Sequence, residues 1–261
     1  MGGRLRVERE GATGWLVFDH PERRNAISVD MWTAIPGAVA ALEADPAVRV
    51  LVARGAGELA FVSGADISEF AELRTGGEAA SAYEATTARA FEALAACEKP
   101  VLALIHGFCV GGGVAIALAC DLRYAADDAE FAVPAARLGL GYHAAGIRAL
   151  VELVGPAAAK EVLFSARRYR APEAALLGLV NRVIPKARLE EEVRELAGRI
   201  AENAPLTLRA VKLAVRELAR EPGARDLEGV ARAIRACFES DDYQEGVRAF
   251  LEKRTPRFRG R

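Results

Sequence analysis

The sequence lacks an excess of charge of either sign. Its 261 residues include 35 basic and 36 acidic side chains, so the formal net charge at pH 7 is −1. Proteins that bind nucleic acid or anionic membrane surfaces usually carry a clear surplus of basic residues. We therefore expect neither nucleic acid nor a membrane among the partners. Hydrophobic residues make up 52% and charged residues 27%, which is typical of a globular domain.

Cysteine is also scarce. The four cysteines are Cys97, Cys109, Cys120 and Cys237, and no two of them form a C-x-x-C pair. This spacing fits reduced thiols better than a disulfide framework or a zinc site. The N-terminal stretch MGGRLRVERE has charges where a signal peptide would have an apolar segment. We expect a cytoplasmic protein without a bound metal.

One long stretch has no charged residue. Val101–Cys120 spans twenty residues, about the length of a membrane helix. It contains Gly107 and the run Gly111-Gly112-Gly113, and glycines in such a run favour a break between elements. We predict a buried strand, a turn and a helix here.

Strand-like and helix-like patterns alternate over the first part of the chain. The predicted elements are a hairpin of Leu5–Glu8 and Trp15–Asp19, a helix from the N-cap Ser28 through Ala44, a strand at Val48–Ala53, a helix at Ser81–Cys97 and a strand at Val101–Ile105. This order predicts an α/β fold in which helices cover a parallel-type sheet. After Pro185, four amphipathic helices are predicted at Arg188–Asn203, Pro205–Arg220, Asp226–Phe238 and Ser240–Lys253.

Two glycine-containing turns follow predicted strands. They are FVSGADI at 61–67 and HGFCVGGG at 106–113. Small residues let a ligand approach the backbone, and the free N–H groups of a helix's first turn can face an anion. Neither turn has the spacing of a dinucleotide fingerprint, a phosphate loop or a nucleophile elbow. A pair of tight packing turns is the alternative.

The segment KPVLALIHGFCVGGGVAIALACDLRYAADDAEFAVPAARLGLG at 99–141 resembles the enoyl-CoA hydratase/isomerase (crotonase) superfamily. The similarity extends over nearly the whole chain, through HPERRNAIS at 20–28, GLVNRVIP at 178–185 and AFLEKRTPRF at 249–258. It implies the ClpP/crotonase-like α/β fold, a spiral of ββα units with a C-terminal all-helical region. Residues 1–187 would form the core with the acyl-CoA site. Residues 188–261 would serve oligomerisation, as a homotrimer or dimer of trimers, and cap coenzyme A.

The resemblance also implies the site. In the family, two backbone N–H groups hold the thioester oxygen as it becomes an enolate, and here these belong to Ala65 and Gly112. No separate cofactor is implied, because coenzyme A is part of the substrate. Its contacts would come from the N-terminal segment, the first turn, the second turn and the C-terminus: Arg23, Arg24, Ala26, Ala65, Asp66, Ile67, Ser68, Gly112, Phe250 and Lys253. Family hydratases often carry Lys at the position of Ser68.

The acid–base groups of family hydratases are missing. Those enzymes use two glutamates, and the matching positions here are Ala115 and Ala135. A methyl group moves no proton, and general acid–base help is worth about 10²–10⁴-fold per group. Nearby, Tyr142 and His143 are candidates for catalysis, and the tyrosine resembles that of the family's methylmalonyl-CoA decarboxylases. Loss of carbon dioxide forms the enolate without a base, so we expect a decarboxylase-like reaction.

Alternatives remain at the level of the sequence. One is a hydratase or isomerase whose acid or base is Tyr142, His143 or Glu130. Another is a catalytically silent subunit that binds acyl-CoA. Tyr142 could equally be a packing residue, and Arg137 could hold a substrate carboxylate or form a structural ion pair.

Overall fold

From β3 to β8 the strands alternate between two sheets, and helices pack around them. The computed structural model describes residues 2–66, 69, 77–142 and 144–261. The strands are β1 (Arg4–Glu10), β2 (Thr13–Asp19), β3 (Val50–Gly55), β4 (Ala60–Val62), β5 (Val101–Ile105), β6 (Phe108–Val110), β7 (Leu122–Ala126), β8 (Glu130–Ala132), β9 (Tyr169–Arg170) and β10 (Arg182–Ile184). The helices are α1 (Val29–Ala44), α2 (Gly77–Ala96), α3 (Gly112–Ala119), α4 (Ala144–Ser165), α5 (Ala171–Leu176), α6 (Lys186–Ala201), α7 (Pro205–Leu218), α8 (Leu227–Phe238) and α9 (Asp241–Leu251).

Each repeat of the chain gives one strand to each sheet. The larger sheet has the order β1-β2-β3-β5-β7-β10 and the smaller one β4-β6-β8-β9. The pairs β1–β2 and β8–β9 are antiparallel, and the other neighbours are parallel. The units β3-β4-α2 and β5-β6-α3 follow one another as turns of a spiral. The sequence pattern predicts the α/β class, and the ββα units are those that the family resemblance implies.

The first helix begins and ends where its sequence signals lie. The Ser28 hydroxyl accepts a hydrogen bond from the N–H of Met31 at 3.2 Å, which satisfies a first-turn donor, and the helix ends at Ala44 as predicted. The next strand starts at Val50, two residues later than predicted. The reason is local, because the N–H of Val48 bonds to the carbonyl of Asp45 in a turn.

The uncharged run Val101–Cys120 forms β5, β6 and α3, so the prediction of strand, turn and helix is confirmed, with one extra short strand. Among the described residues, no helix is long and apolar enough to cross a membrane. Helix α3 lies directly on β4, since a Cβ on Gly113 would collide with the carbonyl oxygen of Val62. Only glycine permits this close approach.

The four helices after Pro185 follow the predicted pattern to within two residues at every end. Leu189, Val193 and Ala197 of α6 are buried in a cluster with side chains of the larger sheet. Helix α6 therefore covers that sheet, whereas α7, α8 and α9 expose many apolar side chains. The division of the chain at residue 187 into two functional regions stays a prediction.

Candidate active site

The two glycine turns lie side by side because the strands before them are neighbours. Strands β4 and β6 pair in parallel, so their carboxyl ends reach the same edge of the smaller sheet. A Cβ built on Gly111 would lie 3.9 Å from the Cα of Gly64. Both residues have positive φ, 120° at Gly64 and 52° at Gly111, which explains glycine at each.

The turn after β4 is fixed by hydrogen bonds on either side of Ala65. The N–H of Ile27 donates to the carbonyl of Gly64 at 2.8 Å, and the N–H of Asp66 donates to the carbonyl of Ile27 at 2.9 Å. Between them, the N–H of Ala65 has no acceptor within the described part of the chain. The backbone thus holds this donor in place without using it.

The turn after β6 presents a second donor. The N–H of Gly111 bonds to the carbonyl of Ala132 at 2.8 Å. Gly112 is the first residue of α3, and first-turn N–H groups have no partner inside their helix. Its N–H has no acceptor among residues 2–66, 69, 77–142 and 144–261. The indole of Trp32 packs against this residue, 3.0 Å from where a Cβ would lie.

Both turns border one cavity of about 350 Å³, whose wall is mostly apolar. It brings together several residues singled out from the sequence, namely Ala65, Gly112, Ala115, Ala135 and Tyr142. Ala115 is 5% exposed and lies on α3, one turn after Gly112. The positions at which family hydratases carry glutamates therefore face the cavity with methyl groups.

Tyr142 contributes a phenol group to the cavity wall. Its hydroxyl oxygen is buried, and the burial raises the pKa of Tyr142 above the ordinary value for a tyrosine. The nearby thiol of Cys109 contributes in the same direction. The phenol is therefore protonated at neutral pH and can donate a hydrogen bond or a proton.

The predicted coenzyme A residues of the N-terminal segment lie beside the first turn. Nη1 of Arg23 is 2.6 Å from Oδ1 of Asp66, and the guanidinium of Arg24 lies 4.9 Å from the centre of the Phe108 ring. Ala26 is buried. In the described part of the chain, no cluster of His, Cys, Asp and Glu is arranged to hold a metal ion. Three further candidates, Ile67, Ser68 and His143, lie outside the described residues.

Other candidates do not reach the cavity in this chain. Phe250 is 83% exposed on α9, and Lys253 follows the end of that helix. Oε2 of Glu130 is 2.9 Å from Nη1 of Arg168, and Arg137 is exposed; neither Glu130 nor Arg137 lines the cavity. The proposal of Glu130 as a displaced base therefore has no support from the geometry.

Glu84 is an acidic residue of the cavity wall that belongs to none of the motifs recognised in the sequence. It lies on the face of α2 that lines the cavity through Ala80, Tyr83, Glu84, Thr87 and Phe91. These positions are spaced i, i+3, i+4, i+7 and i+11, as expected for one face of a helix. The helical period of this segment is the one sequence signal that places Glu84 on the same face as Tyr83 and Thr87.

Residues 8–261 match the sequence profile of the enoyl-CoA hydratase/isomerase family. The crotonyl-CoA hydratase of Syntrophomonas wolfei is 38% identical over 252 residues, which cover 97% of this chain and 96% of that protein. The peroxisomal Δ(3,5)-Δ(2,4)-dienoyl-CoA isomerase of Arabidopsis thaliana is 34% identical over 268 residues, 97% and 95% of the two chains.

The comparison of structures agrees. An enoyl-CoA hydratase/carnitine racemase from Magnetospirillum magneticum superposes with a TM-score of 0.94 at 36% identity, over 98% of this chain and 96% of that one. The spiral α/β architecture is thus the crotonase fold. The chain belongs to the enoyl-CoA hydratase/isomerase family, which confirms the resemblance noted in the sequence.

Proposed function

We propose that the protein is a cytoplasmic enzyme that processes acyl-CoA thioesters through an enolate held by the N–H groups of Ala65 and Gly112. The observation that carries this proposal is that the two amides lie on adjacent turns at one cavity and have no acceptor in the described part of the chain. Each preorganised donor of this kind is worth about 3–4 kcal/mol to a developing oxyanion. Coenzyme A enters with the substrate, and no separate cofactor takes part.

The reaction that suits this site best is decarboxylation of a malonyl-type thioester. The bond between Cα and the carboxylate breaks, its electron pair moves to the thioester oxygen, and carbon dioxide leaves. No base is needed, which fits the methyl groups of Ala115 and Ala135. Carboxylates at those two positions, in addition to that of Glu84 on the same wall, would increase the repulsion of the substrate's own carboxylate.

Tyr142 is the proposed partner of the reacting carbon. Its protonated phenol can orient the substrate carboxylate by a hydrogen bond, and it can then deliver a proton to Cα of the enolate. His143 follows directly in the chain and is the second proposed proton-transfer residue. The buried hydroxyl of Tyr142 on the cavity wall supports the first assignment.

Hydration or isomerisation is the second candidate function. Its support is the 38% sequence identity to the crotonyl-CoA hydratase of Syntrophomonas wolfei, in an alignment that covers 97% of this chain. The acid or base would then be Tyr142, His143 or another residue of the cavity wall. A silent acyl-CoA-binding subunit is the third candidate and would use the same two amides without turnover.

Incubation with methylmalonyl-CoA and, separately, with crotonyl-CoA distinguishes these functions when the products are identified by mass spectrometry. Decarboxylation of the first without rapid hydration of the second is the expected result. Rapid hydration of crotonyl-CoA contradicts it. Binding of both thioesters without turnover of any thioester in a wider panel favours the silent subunit.

Substitution at Gly112 tests the oxyanion assignment. Gly112→Pro removes the N–H at the first helical position, where proline is compatible with a helix, and should lower kcat by at least about 10²-fold. Gly112→Ala adds a similar Cβ beside Trp32 but keeps the N–H, so it is the matched control and should retain more activity. Turnover of Gly112→Pro equal to that of Gly112→Ala contradicts the assignment.

We also propose that the protein assembles as a homotrimer or a dimer of trimers. Helices α7, α8 and α9 expose a continuous apolar groove lined by Val211, Phe238, Val247, Phe250 and Leu251, among others. Exposed apolar patches of this kind usually mark an interface. A second copy seated there would cover this face and place Phe250 and Lys253 near a neighbour's coenzyme A.

A further inference from the structure

The cavity contains one carboxylate that none of the roles above uses. Among the described residues of its wall, Glu84 is the only Asp or Glu. Its carboxylate has no hydrogen-bond or ion-pair partner within the described part of the chain, although its backbone carbonyl accepts from the Thr87 hydroxyl at 3.0 Å. What distinguishes Glu84 from other glutamates without a partner is its place on the cavity wall.

The position of Glu84 is set by its helix. Two other glutamates of α2, Glu78 and Glu92, are also exposed but do not line the cavity. Glu84 lies one residue after Tyr83 and three before Thr87, on the stripe that faces the cavity. The difference between Glu84 and Glu92 is therefore the helix face and not the exposure.

One side chain ties this part of α2 to the oxyanion turn. Nε1 of Trp32 donates to the Tyr83 hydroxyl at 3.1 Å, and the same indole packs on Gly112. Trp32 is 4% exposed, so its end of this link is buried. The Trp32 side chain thus connects the helical turn that carries Glu84 with the turn that carries the Gly112 amide.

We propose that Glu84 is a catalytic base of this cavity, which reversibly removes a proton from Cα of an acyl-CoA thioester. A carboxylate oxygen of Glu84 takes the proton, the Cα–H bond breaks, and its electron pair moves to the thioester oxygen held by Ala65 and Gly112. The reverse step returns a proton from Glu84 to Cα. No oxidant, reductant or other reactant is needed.

The place of Glu84 on the cavity wall favours this role. An acyl chain whose thioester oxygen meets the two amides fills the same cavity, so its Cα passes close to this wall. The inference rests on the proposed function to the extent that it uses the same pair of amides, but it does not require decarboxylation.

The test is exchange of the Cα hydrogens of butyryl-CoA in D₂O, followed by mass spectrometry at saturating thioester. Butyryl-CoA has no carboxylate to lose, so only proton transfer is measured. The wild-type protein should incorporate deuterium, and Glu84→Gln should slow the exchange by about 10²-fold or more. Glu84→Asp should retain part of the rate, and Glu92→Gln, on the same helix but off the cavity, should match the wild type.

Measurements of binding and of the pH profile distinguish loss of the base in Glu84→Gln from a structural effect of the substitution. Glu84→Gln should bind butyryl-CoA within about threefold of the wild type by calorimetry, and it should lose the rise of exchange with pH that titration of a base produces. Exchange in Glu84→Gln equal to that in the wild type overturns the proposal, and so does an unchanged pH profile. Absence of exchange in a wild-type protein that binds butyryl-CoA overturns it as well.

The failure of this inference can be distinguished from a failure of the proposed function. If Gly112→Pro abolishes exchange and Glu84→Gln does not, the assignment of the two amides to the oxyanion is retained and the assignment of Glu84 as the base is wrong. If Gly112→Pro leaves exchange at the level of Gly112→Ala, the oxyanion assignment itself fails. Decarboxylation of methylmalonyl-CoA by the wild type is measured separately and bears on the proposed reaction alone.

Discussion

Arg23 and Asp66 form an ion pair between the two segments that meet at the first turn of the cavity, with Nη1 and Oδ1 2.6 Å apart. The carboxylate is buried, since Asp66 is 7% exposed, whereas half of the Arg23 side chain is in contact with water. Asp66 directly follows Ala65, so the pair anchors one of the two oxyanion donors to the segment that precedes α1.

Removal of the arginine should therefore cost stability. Arg23→Ala removes a cation that pairs with a buried carboxylate, and we expect the free energy of unfolding to fall by about 1–3 kcal/mol in urea denaturation. Arg148→Ala is the control, because Arg148 forms an exposed i,i+4 pair with Glu152, worth about 0.3–0.5 kcal/mol. A loss for Arg23→Ala no larger than that for Arg148→Ala contradicts a stabilising role for the pair.

The Tyr142 phenol makes a prediction about pH. Because burial raises the pKa of Tyr142, the folded protein keeps the phenol protonated up to and beyond pH 10, where an ordinary tyrosine ionises. Decarboxylation of methylmalonyl-CoA that depends on this proton should show no decline between pH 7 and 9.5 from this group, and should decline only above pH 10. The unfolding free energy should also fall above pH 10, since the unfolded chain then releases the proton first.

Tyr142→Phe tests the same group by substitution. We expect kcat to fall by about 10–100-fold at every pH from 7 to 9.5, because the donor is missing throughout. Tyr124→Phe is the matched control: Tyr124 is also a tyrosine whose pKa is raised by burial, but it lies on β7 and not on the cavity wall. A Tyr142→Phe rate within a factor of about two of the parent would return Tyr142 to a packing role.

The parts of the fold that the sequence predicted have strong local signals. Ser28 caps α1, and the uninterrupted apolar run at Val101–Ile105 is a strand with both predicted ends. The smaller sheet was not predicted, because its strands are two or three residues long and a period of two cannot be recognised over that length. Its pairing depends on contacts between distant segments, and it is this sheet that brings the two turns together.

The part of the site that lies in recognisable motifs was predicted from the sequence, and the part that lies outside them was not. The motifs that contain Ala65, Gly112, Ala115 and Ala135 carry their own recognisable sequence, and the structure places all four residues at one cavity. Glu84 belongs to no motif. Its role depends on which face of α2 turns towards α3, and this orientation is decided by packing with Trp32 and not by the sequence of the helix itself.

Because Ala115 and Ala135 lie where family hydratases carry glutamates, we predict that glutamates at these two positions introduce hydration. Ala115→Glu combined with Ala135→Glu places two carboxylates on the cavity wall, where one can activate water and the other can protonate Cα. We expect crotonyl-CoA hydration, followed by loss of absorbance of the conjugated thioester, to rise by about 10²-fold or more. Decarboxylation of methylmalonyl-CoA should fall, because the new charges repel the substrate carboxylate.

Single substitutions and a neighbouring position provide the controls for this gain. Ala136→Glu changes an exposed residue beside Ala135 that does not line the cavity, and it should leave both reactions unchanged. Ala115→Glu alone should destabilise the fold by about 1–3 kcal/mol, since Ala115 is 5% exposed. A folded double variant that binds crotonyl-CoA but gains no hydration contradicts the view that the missing glutamates disable this chemistry.

The exposed apolar face of α7, α8 and α9 predicts self-association. Phe250 is 83% and Leu251 75% exposed on this face, and burial of such side chains against a second copy stabilises an assembly by about 25 cal/mol per Å² of apolar surface. Light scattering after size exclusion should give the mass of a trimer or hexamer for the wild type. Phe250→Asp should give a monomer and raise KM for acyl-CoA, because Phe250 and Lys253 would no longer reach a neighbour's coenzyme A.

The control is Leu176→Asp, because Leu176 on α5 is 90% exposed and lies away from this groove. This substitution should change neither the mass of the assembly nor KM. A wild-type protein that is monomeric at micromolar concentration contradicts self-association through this face. A Phe250→Asp variant that dissociates with an unchanged KM shows that the face contributes nothing to a neighbour's coenzyme A site.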